Sequence, residues 1–216
     1  MPEARSISDL RKEYTQASLN KAGVAKEPIA QLNTWLDEAR AVEEHEPTAM
    51  SLATVSSDSR PSARMVLLKG LDERGLDFYT NLESTKGQHL KANPNAALTF
   101  WWPTLERQVR VEGRVERVAE VEAEAYFSRR PLDSRLGAWA SPQSQPLESR
   151  EELEARLEAI RLEFDNDDIP LPPHWGGFRV VPDRFEFWQG RASRLHDRIE
   201  YLLDQQGNWE IRRLAP

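Results

Sequence analysis

Apolar residues recur at helical spacing in two long stretches of the chain. In residues 27–45 they fall three or four positions apart, at Ile29, Leu32, Trp35, Leu36, Ala39 and Val42. Pro28 suits the first turn of such a helix, where the N–H that proline lacks has no partner in any case. Residues 148–164 carry one apolar stripe surrounded by charged residues. Each stretch therefore predicts an amphipathic helix.

Two shorter segments are predicted to be helical, and prolines mark their ends. Residues 84–92 stop before Asn93-Pro94, because a residue that precedes proline disfavours the helical conformation. Residues 120–130 stop at Pro131, which lacks the N–H that a helix interior needs. Pro131 also suits the start of a further helix, with Ser134 near its N-terminus.

Residues 106–118 give the clearest strand pattern. Polar and apolar positions alternate there, so that Val109, Val111, Gly113 and Val115 share one face. Other short apolar runs, separated by turn residues, predict strands at residues 50–55, 63–69, 76–80, 96–102, 178–181, 184–189, 194–203 and 209–214. Trp175-Gly176-Gly177 is predicted to be a loop, and residues 204–207 a hairpin turn.

The order of these elements predicts one β-rich domain over residues 26–216. Many short strands with a few helices inserted between them are typical of a closed or nearly closed antiparallel barrel. The first 25 residues are polar and predict a flexible N-terminal arm.

The composition excludes several classes of function. The chain has 216 residues, a net charge of −7 and no cysteine, which excludes disulfides and thiolate metal sites. The four histidines lack the paired spacing of metal ligands, and we expect no metal. An acidic chain is poorly suited to coat nucleic acid, so an anion would need a local cluster of Lys and Arg. Neither an apolar leader nor a membrane-length segment is visible, and we expect a cytoplasmic protein.

The first candidate anion site combines a strand and a helix. Arg64 and Lys69 flank an apolar strand, and Lys86 begins a short helix just after Tyr79-Thr80. Basic side chains, hydroxyls and a helix N-terminus can together hold a phosphate. The alternative is a solvated strand end beside a surface helix. Arg64 and Lys69 are five residues apart, so a bulge, or a strand that ends before Lys69, is needed to bring them together.

The second candidate anion site contains Tyr126, Arg130 and Ser134. Tyr126 and Arg130 are four residues apart and share a helix face. With Ser134 near the start of the next helix, the group could hold a second phosphate. The alternative is a capped turn with an exposed arginine.

A third group places cations on one face of a predicted strand. Arg194, His196 and Arg198 alternate with Leu195 and with acidic or apolar residues. Such a row is costly unless it faces an anion or carboxylates. An edge strand that faces water would also tolerate it, so both interpretations stay open.

Seven segments, read in order, closely resemble the pyridoxine/pyridoxamine 5′-phosphate oxidase family. The resemblance covers nearly the whole chain, from Arg11 to the C-terminal Arg213-Leu214-Ala215-Pro216. The segments are Arg64-Met65-Val66-Leu67-Leu68-Lys69, Phe78-Tyr79-Thr80-Asn81, Leu105-Glu106-Arg107-Gln108-Val109, Gly137-Ala138-Trp139, Trp175-Gly176-Gly177-Phe178-Arg179, Glu186-Phe187-Trp188-Gln189-Gly190 and Arg194-Leu195-His196-Asp197-Arg198.

The resemblance implies a fold, an assembly and a cofactor. The implied fold is mainly β with α: an antiparallel, Greek-key-like, FMN-binding split barrel with flanking helices. The implied assembly is a homodimer with FMN at the subunit interface. The residues that would contact FMN are Arg64, Met65, Val66, Leu67, Leu68, Lys69, Tyr79, Thr80, Thr85, Lys86, Gln108, Gln143, Ser144, Trp188 and Arg198. The family has an arginine where this chain has Thr85, which predicts a weaker phosphate contact or a hydroxyl in its place.

The resemblance also implies a substrate site and a reaction. Arg194 and His196 would be the catalytic pair, and the N-terminal arm would close over the site. The residues that would contact substrate are Arg11, Tyr14, Lys69, Tyr126, Arg130, Ser134, Arg194, Leu195 and His196. Pyridoxine or pyridoxamine 5′-phosphate would lose a hydride from C4′ to FMN, giving pyridoxal 5′-phosphate. Dioxygen would become hydrogen peroxide, with ammonia released from the amine, in vitamin B6 salvage.

Two other functions fit the same barrel. One is an FMN reductase that takes its hydride from NAD(P)H, although such an enzyme has no need of the second candidate anion site. The other is a non-catalytic protein that carries flavin or pyridoxal 5′-phosphate.

Overall fold

The computed structural model describes residues 13–42, 44–164 and 168–216. The helices are α1 (Pro28–Ala41), α2 (Thr85–Ala92), α3 (Glu120–Ser128), α4 (Leu132–Ala140) and α5 (Arg150–Glu163), and short 3₁₀ segments cover Lys21–Gly23 and Ala192–Arg194. The strands are β1 (Ala49–Val55), β2 (Pro61–Leu67), β3 (Gly70–Asp72), β4 (Gly75–Asn81), β5 (Asn95–Trp102), β6 (Arg107–Arg117), β7 (Trp175–Gln189), β8 (Asp197–Leu203) and β9 (Trp209–Leu214).

The strands of the described chain pair into one sheet. Their order is β2-β1-β5-β6-β7-β4-β3, and β8 pairs with both β7 and β9. The β1–β2, β3–β4, β4–β7, β7–β8 and β8–β9 pairs are antiparallel. The antiparallel β architecture with inserted helices is the one that the sequence predicts.

The chain forms two compact units, named here the first and the second unit. The first contains the described residues up to Pro47 together with residues 99–111 and 184–216, and the second contains residues 48–98 and 112–183. Strands β5, β6 and β7 contribute residues to both units. That residues 26–216 behave as one domain stays a prediction.

Aromatic rings form the core of the first unit. Trp35 of α1 meets Phe187 of β7 edge-on, with ring centroids 5.2 Å apart, and Phe187 meets Tyr201 of β8 at 5.5 Å. All three rings are buried. The apolar stripe that predicts α1 is thus the face that packs against β7.

A separate apolar cluster in the second unit joins α3 and α4 to the start of β7. It is built from Phe127 of α3, Leu136 of α4, Ile169 and Trp175, all of them buried. This packing fixes the two helices that carry the second candidate anion site.

The prediction of a loop at Trp175-Gly176-Gly177 is wrong, because these residues begin the long strand β7. Gly177 lies opposite Tyr79 in the β4–β7 pair. A Cβ on Gly177 would come within 2.7 Å of the Tyr79 ring, so this glycine makes room for an aromatic side chain and does not mark a turn. The separate strands predicted at residues 178–181 and 184–189 are parts of the same β7.

The predicted strand over residues 194–203 begins three residues later, at Asp197. Ser193 and Arg194 have φ angles of 57° and 60°, which no strand contains. The hypothesis of a cationic row formed by Arg194, His196 and Arg198 on one strand face is therefore wrong, since only Arg198 lies in β8.

Strand β2 ends at Leu67, and Lys69 lies beyond it. The Lys69 N–H donates to the carbonyl oxygen of Asp77 at 2.8 Å, so the chain has already turned into the β3–β4 hairpin. Of the two arrangements considered for Arg64 and Lys69, the strand end is the correct one. The three-residue strand β3 escapes prediction because it is too short to show a period.

Candidate active site

A cavity of about 630 Å³ opens in the second unit. Its walls come from strands β2 and β4, the start of β7, helices α2, α3 and α4, and the segments that follow β2 and α4. The predicted ligand-binding residues that line it are Met65, Val66, Leu67, Lys69, Tyr79, Thr80, Lys86, Tyr126, Arg130, Ser134 and Gln143. Apart from Arg64, the fold thus brings both candidate anion sites to one cavity, although Lys69 and Ser134 are 65 residues apart in sequence.

Lys86 is one of the cations that line this cavity. Its Nζ donates to Thr80 Oγ1 at 3.1 Å, to Ser84 Oγ at 3.3 Å and to Gln143 Oε1 at 3.1 Å. Burial lowers the pKa of Lys86, and the positive charge of Arg64 lowers it further. Only 9% of the residue is exposed, and all three acceptors are neutral oxygens. None of the acidic residues in the described ranges pairs with this buried ammonium, and an anionic ligand would supply the counter-charge.

The local sequence explains why Lys86 points inward. Ser84 caps the N-terminus of α2, where its hydroxyl accepts the N–H of Gly87. Gly87 packs against the carbonyl oxygen of Leu82, which a Cβ would approach to 2.1 Å. The cap and this close packing fix the first turn, and Lys86 lies within it.

Arg64 lies on β2 outside the cavity lining. Its Nη1 donates to the Leu52 carbonyl at 3.0 Å and to Thr54 Oγ1 at 2.7 Å, and its Nη2 donates to Ser62 Oγ at 2.7 Å. Burial lowers the pKa of Arg64. Three of the five guanidinium N–H groups are thereby engaged with the protein, and the side chain is held in place for a further acceptor.

Arg130 is a second cation that lines the cavity. Its guanidinium lies 4.9 Å from the ring centroid of Trp175, and its Nη1 is buried without a hydrogen-bond partner. Burial lowers the pKa of Arg130 and raises the pKa of Tyr126. A buried guanidinium N–H without an acceptor is costly, which again points to an anionic ligand.

Stacked aromatic rings form the wall beside Arg130. The Tyr79 and Tyr126 rings lie 4.1 Å apart and nearly parallel, and Trp175 stacks on Tyr79 at 5.5 Å. Ser134 lies in the first turn of α4, where its N–H donates to the Pro131 carbonyl at 2.9 Å. The prediction that a helix starts at Pro131 is confirmed, with Pro131 at the cap position.

The second unit also contains an ion-pair network that the sequence patterns do not predict. Arg179 of β7 is 5% exposed at its side chain and donates to both oxygens of Asp77, at 2.8 Å each. It also donates to Glu122 at 3.0 Å, and Arg74 reaches the other oxygen of Glu122 at 2.6 Å. Because Glu122 belongs to α3, this network ties the helix of Tyr126 to strands β4 and β7.

The residues predicted for the reacting ring lie in the first unit. The His196 and Trp188 ring centroids are 4.6 Å apart, and Tyr14 meets both rings, at 5.8 Å and 5.7 Å. The Arg191 N–H donates to His196 Nδ1 at 3.1 Å. Burial lowers the pKa of His196, and the charge of Arg194 lowers it further. The imidazole is therefore neutral near pH 7, with its remaining proton on Nε2.

Arg198 and Gln108 also lie in the first unit. Arg198 donates to both oxygens of the buried Glu186, at 2.8 Å and 2.9 Å, and to the Ala215 carbonyl at 2.8 Å. Glu186 thus supplies a counter-charge that Arg130 lacks. Gln108 is half-buried on β6.

The remaining predicted residues lie outside the cavity lining. Leu68 is buried in the core, and Thr85, Ser144, Arg194 and Leu195 are exposed. The predicted role of Arg11 falls outside the described residues. Six further described residues line the cavity without a predicted ligand contact: Asn81, Pro131, Gly137, Ala138, Ser141 and Trp175. Of these, Trp175 carries a signal as a large aromatic beside paired glycines, but that pattern predicts a loop.

Within residues 13–42, 44–164 and 168–216, no group of three or more acidic or histidine side chains is placed to hold a metal ion. No helix in these ranges is both long and apolar enough to cross a membrane.

Comparison with known proteins matches both parts of the chain to one family. Residues 36–164 match the family model described as pyridoxamine 5′-phosphate oxidase, and residues 175–216 match the pyridoxine 5′-phosphate oxidase C-terminal dimerisation region. A pyridoxine/pyridoxamine 5′-phosphate oxidase of Bordetella petrii is 58% identical over 98% of this chain and 100% of its own length. Another, of Synechocystis sp., is 57% identical over 98% of each chain.

Solved structures support the same assignment. PhzG from Burkholderia lata, in complex with tetrahydrophenazine-1-carboxylic acid, is 32% identical with a TM-score of 0.85, over 90% of this chain and 95% of its own. A pyridoxamine 5′-phosphate oxidase-related, FMN-binding protein of Nostoc punctiforme is 20% identical with a TM-score of 0.70, over 87% and 96%, and shares the fold. The predicted split barrel is thereby confirmed. The chain belongs to the pyridoxamine 5′-phosphate oxidase family.

Proposed function

We propose that this protein oxidises pyridoxine and pyridoxamine 5′-phosphate to pyridoxal 5′-phosphate, with FMN as cofactor and dioxygen as electron acceptor. The observation that carries the proposal is a pair of cations that line one cavity, the buried Lys86 and the partly buried Arg130, neither of which pairs with a carboxylate in the described part of the chain. Two such positions suit two phosphate groups, one on the cofactor and one on the substrate. The protein would work as a homodimer, as the match of residues 175–216 suggests.

The part of the cavity around Lys86 suits the phosphate of FMN. Lys86 would supply the charge, the Thr80 hydroxyl a hydrogen bond, and the held guanidinium of Arg64 further donors. Gln143 accepts from both Lys86 and Thr80 and keeps them together. Bound FMN would supply the hydride acceptor that no side chain offers.

The part of the cavity around Arg130 suits the phosphate of the substrate. Arg130 would donate through its unpartnered Nη1, and Tyr126 and Ser134 would donate through their hydroxyls. Lys69 lines the same cavity and would neutralise part of the charge of either phosphate. These four side chains fix the substrate far from the bond that reacts, which is an orientation effect.

His196 and Arg194 would act on the pyridine ring without removing a proton. A neutral imidazole whose Nδ1 accepts from the Arg191 N–H can donate only through Nε2. Arg194 would hold the ring through its guanidinium N–H groups, so that C4′ is oriented for loss of the hydride. Tyr14 of the arm packs on His196 and would exclude water from this face.

Aerobic turnover of the FMN-loaded protein tests the proposal. Pyridoxamine 5′-phosphate should give pyridoxal 5′-phosphate, hydrogen peroxide and ammonia in equal amounts, and pyridoxine 5′-phosphate should give the first two. A protein that binds both ligands but forms no peroxide would instead be a carrier, and the proposal would be abandoned.

Arg194→Ala should lower kcat by about 100-fold, because it removes a group that orients the reacting ring. FMN occupancy, read from the absorption of the purified protein, should stay unchanged. Arg194→Lys retains the charge and should recover part of the rate. Equal losses of rate and FMN would show that Arg194 holds the cofactor instead.

A further inference from the structure

Side chains of the first unit hold the N-terminal arm by its backbone. Asp197 Oδ2 accepts the Leu19 N–H at 3.0 Å, Arg191 donates to the Ala17 carbonyl at 2.9 Å, and Tyr201 donates to the Ala25 carbonyl at 2.7 Å. Only a short 3₁₀ segment interrupts this irregular stretch. Its peptide groups therefore take side chains as partners in place of a strand.

Glu106 holds the end of the arm nearest Tyr14. One carboxylate oxygen, Oε2, accepts the N–H of Thr15 at 2.8 Å and the N–H of Gln16 at 3.1 Å. Glu106 is 2% exposed, whereas Thr15 and Gln16 are exposed, so these bonds are partly buried. Hydrogen bonds to an ionised acceptor are stronger than neutral ones, and they offset part of the cost of burying the charge.

The backbone of Glu106 is fixed in a conformation that few residues adopt. Its φ angle is 54°, in the left-handed region. Its carbonyl oxygen accepts the Gly190 N–H at 2.8 Å and Gln189 Nε2 at 3.2 Å. The carboxylate is thus presented from a rigid base beside the end of β7, and strain of this kind often marks a functional position.

The Tyr14 ring lies next to the backbone that Glu106 holds. Tyr14 directly precedes Thr15, and its ring meets Trp188 and His196 edge-on. A Cβ on Gly190 would come within 2.7 Å of the Tyr14 ring, so the glycine leaves a place for it. Gly190 thus contacts both residues: its N–H donates to the Glu106 carbonyl, and its missing side chain leaves space for the Tyr14 ring.

We infer that Glu106 is a positioning residue for the oxidation: it docks the arm so that Tyr14 covers His196. The inference rests on the proposed function for its kinetic consequence, but the docking itself does not. Loss of the Glu106 acceptor should free the segment from residue 13 to residue 18, while Asp197 and Tyr201 keep the later part of the arm in place.

Hydrogen exchange of the FMN-loaded full chain tests the docking. Amides of residues 13–18 should exchange about threefold faster in Glu106→Gln, which keeps a neutral acceptor, and about tenfold faster in Glu106→Met. Residues 19–25 and helix α1 should be unchanged. Glu210→Gln removes the same charge from an exposed position on β9 and is the matched control. Unchanged exchange at residues 13–18 in Glu106→Gln, with α1 intact, would overturn the inference.

Kinetics separate positioning from general stability. Glu106→Gln should raise the KM for pyridoxamine 5′-phosphate about threefold and change kcat less, with FMN occupancy unaltered. When Tyr14→Ala is already present, Glu106→Gln should not raise the KM further, because Glu106 acts through Tyr14. A full additional loss in the double variant would overturn the positioning role. The two proposals can fail separately. If amides 13–18 exchange faster in Glu106→Gln but the wild-type protein oxidises no substrate, the proposed function is refuted and the docking is established.

Discussion

Arg130→Met is expected to raise the KM for pyridoxamine 5′-phosphate about 100-fold, because it removes a buried partner of the substrate phosphate. The kcat should fall less, since the phosphate is remote from C4′ and is bound alike in the ground and transition states. Methionine retains most of the packing against Trp175 and Phe127 that the guanidinium now provides. Steady-state kinetics at saturating FMN and constant oxygen measure the change.

Arg129 supplies a matched control for this prediction. It is the exposed neighbour of Arg130 at the end of α3, so Arg129→Met removes the same charge from outside the cavity. Its KM should stay within twofold of the wild type, about the uncertainty of a surface change. An equal effect of the two variants would show that only the net charge matters, and would contradict the assignment of the phosphate to Arg130.

Arg179→Met is expected to lower the free energy of unfolding by about 3–5 kcal/mol, since it leaves Asp77 buried without its partner. The Arg179 side chain is 5% exposed and the Asp77 side chain 11%. Urea denaturation at a fixed FMN concentration measures the loss. Because the network also holds α3 through Glu122, the KM for substrate should rise as well.

Two further variants check that the effect comes from the unpaired charge. Arg150→Met removes an ion pair to Glu154 that is exposed on both sides, and should change stability by less than about 0.5 kcal/mol. Asp77→Leu combined with Arg179→Met should recover part of the lost stability, because both charges of the buried pair are then removed. A single Arg179→Met change that costs under about 1 kcal/mol would show that the pair contributes little.

Sequence patterns predict those parts of this fold that a local period determines. The apolar stripe of α1 and the alternation in β6 depend only on neighbours within one element. The anion clusters are visible for a related reason, since Tyr126 and Arg130 share one helix turn and Lys86 follows its cap at Ser84. These features need no knowledge of the rest of the chain.

Other features escape because their cause lies elsewhere in the chain. In the sequence alone, Gly177 is typical of a loop. Its actual role, to leave space for the Tyr79 ring, is visible only in the folded structure. Glu106 and Thr15 are 91 residues apart, and Arg179 and Asp77 are 102 apart. The Arg194 turn depends on a left-handed backbone that propensity does not favour for arginine. Such contacts leave no periodic trace in the sequence.

Anaerobic mixing of the FMN-loaded protein with pyridoxine 5′-phosphate tests the central claim most directly. The account predicts that the visible absorption of the flavin is lost, that pyridoxal 5′-phosphate forms in an amount equal to the bound FMN, and that readmitted oxygen restores the absorption. NADH added in place of the substrate should leave the flavin oxidised. Reduction by NADH but not by pyridoxine 5′-phosphate would contradict the account and identify a flavin reductase.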